Sequence, residues 1–331
     1  NLKIQLKIMK KIKIICTLGP NSLNKKFLRF SKNKINLLRL NMSHLSLEGL
    51  KKKIKFVKRN TQIPICIDTE GAQIRIKVKN DKFLRLNQKI KISSSGSIAL
   101  YPENVFEQIK VNDILNVGFS NLVLKVIKKK NDIICKVLSS GKIENNKGVH
   151  LENRKIKLNY LTKKDLGAIE IGEKFGIKNY ALSFTNSVED IIKFNKLLKN
   201  KNKIFKIETL KAIKNFKFML KKGNFFLIDR GDLSKDIKIE NIPIIQRDLF
   251  HLRKKYKNKE IYVATNLLES MLENSYPTRG EANDIFNSLE MGAGGLVLAA
   301  ETAVGKYPKD TVVFLQKMIK VFQKKNIKSN F

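Results

Sequence analysis

The segment Lys203–Leu233, KIFKIETLKAIKNFKFMLKKGNFFLIDRGDL, decides how the rest of the chain is read. Its first apolar run, Ile204 to Ile207, is a short buried strand. Strand side chains alternate between faces, so Lys206 and Glu208 point the same way. A helical pattern starts at Glu208, with Leu210, Ile213, Phe216 and Leu220 apolar on one face. It stops at Lys221-Lys222-Gly223, cations and a glycine where a helix C-terminus favours them. A second strand, Asn224 to Ile228, runs into Asp229-Arg230-Gly231-Asp232. Strand, helix and strand with short joints form a βαβ unit, whose parallel strands bring Glu208 and Asp232 to one end of the sheet. Two carboxylates there suit a hard cation such as Mg²⁺; they suit equally a structural ion pair of Lys206 with either acid.

The pattern repeats outward from that unit. Ile12 to Cys16, Ile35 to Leu40 and Ile63 to Ile67 are short apolar strands, each ending in a polar loop. Tyr180 to Ser183, Ile261 to Ala264 and Gly295 to Ala299 continue the series, with helical patterns between them. Ser46 is placed to cap one helix, and Thr278 with Glu281 reads as a capping box for another. With the two strands of the opening segment this gives eight, enough to close a TIM (β/α)8 barrel whose reactive groups sit at the strands' C-terminal ends. Residues 76–159 have another texture: short alternating runs such as Lys89–Ile92, Leu122–Ile127 and Ile133–Val137, separated by Gly, Asn and Ser. The fold expected is therefore α/β, a barrel of residues 1–75 and 160–331 with an inserted all-β lid domain between them.

Composition narrows the function classes. The 331 residues include 42% hydrophobic ones, ordinary for a globular protein. No apolar run reaches the roughly 18 residues of a membrane helix, and the first residues have no signal-peptide pattern, so the expected location is cytoplasmic, without a membrane partner. Cys16, Cys66 and Cys135 are far apart and odd in number, which favours buried reduced thiols over a disulfide or a zinc site. The formal charge of +38 is compatible with nucleic-acid binding. The excess, however, is mostly lysine spread end to end, whereas nucleic-acid sites cluster their charge. Solvated lysine faces are the better reading.

Eight motifs in order resemble those of the pyruvate kinase family over nearly the whole chain. They are CTLGPNS at Cys16–Ser22, RLNMSH at Arg39–His44, IDTEGAQIR at Ile67–Arg75, NKGVHL at Asn146–Leu151, FKIET at Phe205–Thr209, RGDL at Arg230–Leu233, ATNLLESM with PTRGE within Ala264–Glu281, and ETAVGKYP at Glu301–Pro308. The resemblance implies phosphoryl transfer from phosphoenolpyruvate to ADP, giving ATP and pyruvate. It implies Glu208 and Asp232 as ligands of Mg²⁺ or Mn²⁺, and Lys206 as the cation that neutralises the moving phosphoryl group. Asn41, Ser43, Asp68 and Thr69 match the positions that enclose K⁺, an ion suited to oxygen ligands. Arg39 and Arg75 match phosphate-binding arginines, while His44 and Lys147 match nucleotide-side contacts. Gly231 offers a backbone N–H to substrate, and Thr265 matches a hydroxyl near the enolate carbon that is protonated.

Several positions depart from the family's pattern. Glu70 stands where lysine is usual, a charge swap expected to weaken nucleotide-phosphate binding. Asn186 stands where an arginine is common, and Ala299-Ala300 replace Ser-Gly before Glu301. The sequence ends at Phe331, just past the eighth helix, where the resemblance would place a further C-terminal domain. The corresponding expectation is a minimal enzyme without sugar-phosphate regulation, a homo-oligomer of smaller or different build, a dimer being one form. The alternatives are a degenerate paralogue that binds phosphoenolpyruvate or nucleotide with little turnover, and a basic nucleic-acid-binding protein on a reused barrel.

Overall fold

The computed structural model describes residues 11–118, 121–152, 154 and 156–328. Eight parallel strands close into a barrel in chain order: Lys13–Thr17, Leu37–Asn41, Ile65–Asp68, Asn179–Leu182, Asn202–Ile207, Phe225–Asp229, Glu260–Ala264 and Gly295–Leu298. The last pairs with the first, Cys16 opposite Leu298, so no strand edge is left open. Ile15, Cys66, Ala181, Ile204, Leu227, Tyr262 and Val297 fill the interior as one packed cluster, as the alternation of strand side chains requires. At the amino-terminal end Lys13 Nζ lies over the Phe225 and Tyr262 rings and 3.4 Å from Glu260.

Outer helices are held by their first turns and their apolar faces. Asn24, Ser46 and Thr209 each accept a backbone N–H of the helix that follows, and Thr278 with Glu281 forms the expected capping box. Thr209 therefore caps a helix running Leu210–Met219, rather than one starting at Glu208. This difference leaves Glu208 outside the helix, at the strand's end. Of the expected inner stripe, Phe216 and Leu220 are buried, Ile213 is half-buried and Leu210 is exposed, while Ala212 and Met219 join the buried face. Phe216 packs edge-on against Phe226 at 5.1 Å between centroids, and Phe226 against Phe205 at 6.0 Å. Burying each such ring contributes on the order of 2–3 kcal/mol, which anchors this helix to the two strands that carry Lys206 and Asp229. A helix at Ile242–Lys254, with Pro243 in its first turn, had no counterpart in the sequence reading.

Contacts divide the chain into two units, one of residues up to Glu70 and from Lys163 onward, the other Gly71–Thr162. The division falls a few residues from the expected limits because Ile74–Val78 is a strand of the second unit, paired with Gly148–Leu151 and Ile98–Tyr101. That unit is antiparallel β, a seven-stranded sheet and a two-stranded one around Ile76, Leu84, Ile92, Leu124, Val126 and Val137. Among the described residues no helix is long and apolar enough to cross a membrane. All three cysteines are buried and free, and burial pushes the Cys16 and Cys135 thiols up to about 12, so neither is an activated nucleophile.

Candidate active site

The polar interior lies at the carboxyl ends of the barrel strands. Lys206, near the end of the fifth strand, has a side chain only 4% exposed. Its Nζ lies 2.7 Å from Glu208 Oε1, 3.1 Å from Asp229 Oδ2, 3.5 Å from Asp68 Oδ2 and 3.3 Å from Ser183 Oγ. Burial pushes the amine's pKa down, but the charges of Asp68, Glu208 and Asp229 outweigh it and hold it above the ordinary lysine value. Arg39, from the second strand, donates to Asp68 through Nε at 2.7 Å and to Thr17 Oγ1 at 2.9 Å. Its Nη2 lies 2.6 Å from Asp68 Oδ2, so the arginine and the aspartate form a buried ion pair. Lys206 likewise pairs with Glu208, together with Asp229 and Asp68.

Glu208 is under opposing electrostatic pressures. Burial pushes its carboxyl pKa up against the pull of Lys206, and the nearby charges of Asp232 and Asp229 push the same way. A carboxylate oxygen each from Glu208, Asp229 and Asp232 lies within 4.8 Å of the others. Oxygens on opposite sides of one Mg²⁺ or Ca²⁺ are about 4–5 Å apart, so this set fits a single divalent cation. Such a cation would reverse the pressure on Glu208. A further sign of fit is Asp229 Oδ1, which is buried with no hydrogen-bond partner among the described residues. Asp232 also pairs with Lys235 at 2.5 Å.

Backbone strain borders this cluster. Phe184, at φ 51°, donates its N–H to Glu208 Oε2. Thr265, a β-branched residue at φ 69°, accepts the Gly231 N–H on its Oγ1 at 2.8 Å, and Arg230 donates to the Thr265 carbonyl through both Nε and Nη2. Each such conformation costs on the order of 1–3 kcal/mol and persists only where surrounding contacts fix it.

The remaining expected residues fall in three places. Asn41 and Asp68 are register partners on adjacent strands, Asn41 Oδ1 accepts the Ser43 N–H at 3.0 Å, and Thr69 Oγ1 accepts the Ser183 N–H at 3.0 Å. His44 is exposed on the short turn after the second strand. Arg75 and Lys147 belong to the antiparallel unit, where Arg75 donates to the Asn146 carbonyl at 3.1 Å and Lys147 lies 3.4 Å from Glu144. Two participants escaped the sequence reading: Asp229, and Ser183, whose hydroxyl contacts Asp68, Thr69 and Lys206. Asp229 had a signal in its position, since it ends an apolar strand as Asp68 does. Among the departures, Glu70 is buried and pairs with Lys164 at 2.9 Å. Asn186 braces its own loop, donating to the Phe184 carbonyl at 2.9 Å.

A closed parallel barrel with a buried lysine and three clustered carboxylates that could hold a metal ion at its carboxyl end defines a (β/α)8 protein whose polar groups gather where such barrels carry their sites. The comparisons with known proteins are specific: the family described as "Pyruvate kinase, barrel domain" matches residues 9–312, and the chain belongs to the pyruvate kinase family. Pyruvate kinase of Thermotoga maritima is 31% identical over 96% of this chain and 72% of its own length. That of Methanocaldococcus jannaschii is 33% identical over 95% and 70%. For Staphylococcus saprophyticus pyruvate kinase the values are 32%, 92% and 56%, so the chain spans little more than half of that relative.

Proposed function

We propose that the chain transfers the phosphoryl group of phosphoenolpyruvate to ADP. The observation that carries this reading is Lys206 Nζ, buried at the barrel's carboxyl end 2.7 Å from Glu208, in a chain of this family. Lys206 neutralises the charge that develops on the phosphoryl oxygens as the bond from phosphorus to the enol oxygen breaks and one to the terminal ADP oxygen forms. Arg39 binds the phosphate from the second strand. Gly231 and Asp232 meet the substrate at the start of the short Arg230–Leu233 helix. The Thr265 hydroxyl lies on the path by which the enolate carbon takes a proton to give pyruvate. His44, Arg75 and Lys147 are assigned to the nucleotide.

The chemistry of the donor sets suits the two ions the family uses. Mg²⁺ or Mn²⁺ held by Glu208 and Asp232 would supply polarisation of the substrate's phosphate and carboxylate. K⁺ is assigned to Asn41, Ser43, Asp68 and Thr69, an oxygen-rich set spanning neighbouring strands. A second reading, binding with little turnover, is favoured by one observation: three carboxylates compete for Lys206. A coupled pyruvate assay with Mg²⁺ and K⁺ decides between them. Turnover that disappears in Lys206→Ala supports the kinase, and a rate no higher than the variant's rejects it.

A further inference from the structure

The metal ligands assigned above are Glu208 and Asp232, yet a third carboxylate stands among them. Asp229 ends the sixth strand with its side chain 6% exposed, and its Oδ2 lies 3.1 Å from Lys206. Its other oxygen, Oδ1, is buried without a hydrogen-bond partner among the described residues, an arrangement that is costly for a charged group unless something positive faces it. The same residue offers an oxygen within 4.8 Å of those from Glu208 and Asp232. Around this point four carboxylates, Asp68, Glu208, Asp229 and Asp232, face two buried cations, Arg39 and Lys206, and the partly exposed Lys235. One or two protein carboxylates are the usual share of a Mg²⁺ site; a third, from Asp229, would take the place of a water or a substrate oxygen.

We infer that Asp229 is a third protein ligand of the divalent cation, joining Glu208 and Asp232. This rests on the proposed metal site but not on turnover, and its test reads binding alone. The full chain, free of nucleotide and phosphoenolpyruvate, is titrated with Mn²⁺ while free Mn²⁺ is followed by electron paramagnetic resonance. One tightly held Mn²⁺ per chain is expected, with affinity falling roughly 10- to 100-fold in Asp229→Asn. Circular dichroism confirms that the variant is folded. Asp229→Cys supplies a second readout, because a thiolate ligand shifts preference from Mn²⁺ toward the softer Cd²⁺, whereas a residue acting only through its charge would not. No Mn²⁺ bound by the wild-type chain, an Asp229→Asn affinity within about twofold of it, or no Cd²⁺ preference in Asp229→Cys overturns the inference. If Mn²⁺ binding follows Asp229 but no pyruvate forms, the kinase reading fails and this one stands. If pyruvate forms while Asp229→Asn binds Mn²⁺ like wild type, the outcome is the reverse.

Discussion

Thr265 holds the Gly231 N–H at 2.8 Å on its hydroxyl oxygen while its own backbone sits at φ 69°, a region that β-branched residues seldom occupy. The strain is fixed from both sides, by that bond and by Arg230, which also pairs with Asp284 at 2.6 Å. Thr265→Ser keeps the acceptor and is expected to unfold within about 0.5 kcal/mol of wild type. Thr265→Ala leaves the Gly231 donor without it and is expected to lose about 1–2 kcal/mol in urea denaturation. Equal midpoints for the two variants would show that the bond does not hold this loop.

Lys206 is the cation on which the buried carboxylates converge, so its removal should be felt in the fold as well as in turnover. Lys206→Ala leaves Glu208, Asp229 and Asp68 facing one another without it, and the expected loss is about 3–5 kcal/mol in metal-free buffer. Because a divalent cation can take over part of that neutralisation, Mn²⁺ should raise the variant's Tm more than the wild type's. Calorimetry with and without chelator measures both shifts. An equal Tm shift in the two proteins would mean that lysine and metal do not share these charges.

The barrel was legible because each strand is an apolar run ending in a polar loop, a pattern that depends only on local alternation and burial. Pairing of Lys206 with Glu208 was legible for the same reason, since two positions along a strand share a face. The helix at Ile242–Lys254 was not, because its buried residues, Ile242, Gln246, Leu249 and Phe250, include a glutamine and break the apolar periodicity. Ser183 and Asp229 were missed for another reason. Their roles arise from neighbours on other strands, Asp68 and Lys206, and sequence spacing alone does not say which strand ends meet.

Glu281 should make stability depend on pH. Burial pushes its carboxyl pKa up, but hydrogen bonds from Ser270 and Thr278 outweigh this and hold it below the ordinary carboxylate value. A folded-state pKa below the unfolded one stabilises the protein fully above the unfolded value, and the contribution is lost as pH falls through the folded one. Wild type should therefore exceed Glu281→Gln in denaturant midpoint at neutral pH, with the gap closing below about pH 4. A gap that persists unchanged in acid would assign the difference to geometry, not charge.

Glu70 occupies a position where the resemblance expects lysine, and its buried carboxylate meets Lys164 at 2.9 Å from the helix Lys163–Lys174. The swapped charge is thus compensated inside the barrel unit, where it would otherwise stand as a desolvated anion. Glu70→Lys would set two ammonium groups against each other and is expected to cost about 3 kcal/mol, since Glu70 is buried even though Lys164 is partly exposed. Reversing the pair, Glu70→Lys with Lys164→Glu, should recover at least half of that loss, so the double-mutant cycle will show coupling. If instead the two effects simply add, the pair contributes nothing to the fold. The same double variant places a lysine where the resemblance expects one, and its KM for ADP in the coupled assay should fall below the wild-type value. A KM that is unchanged while stability is restored would separate the two roles, leaving Glu70 as a structural partner of Lys164 with no influence on the nucleotide.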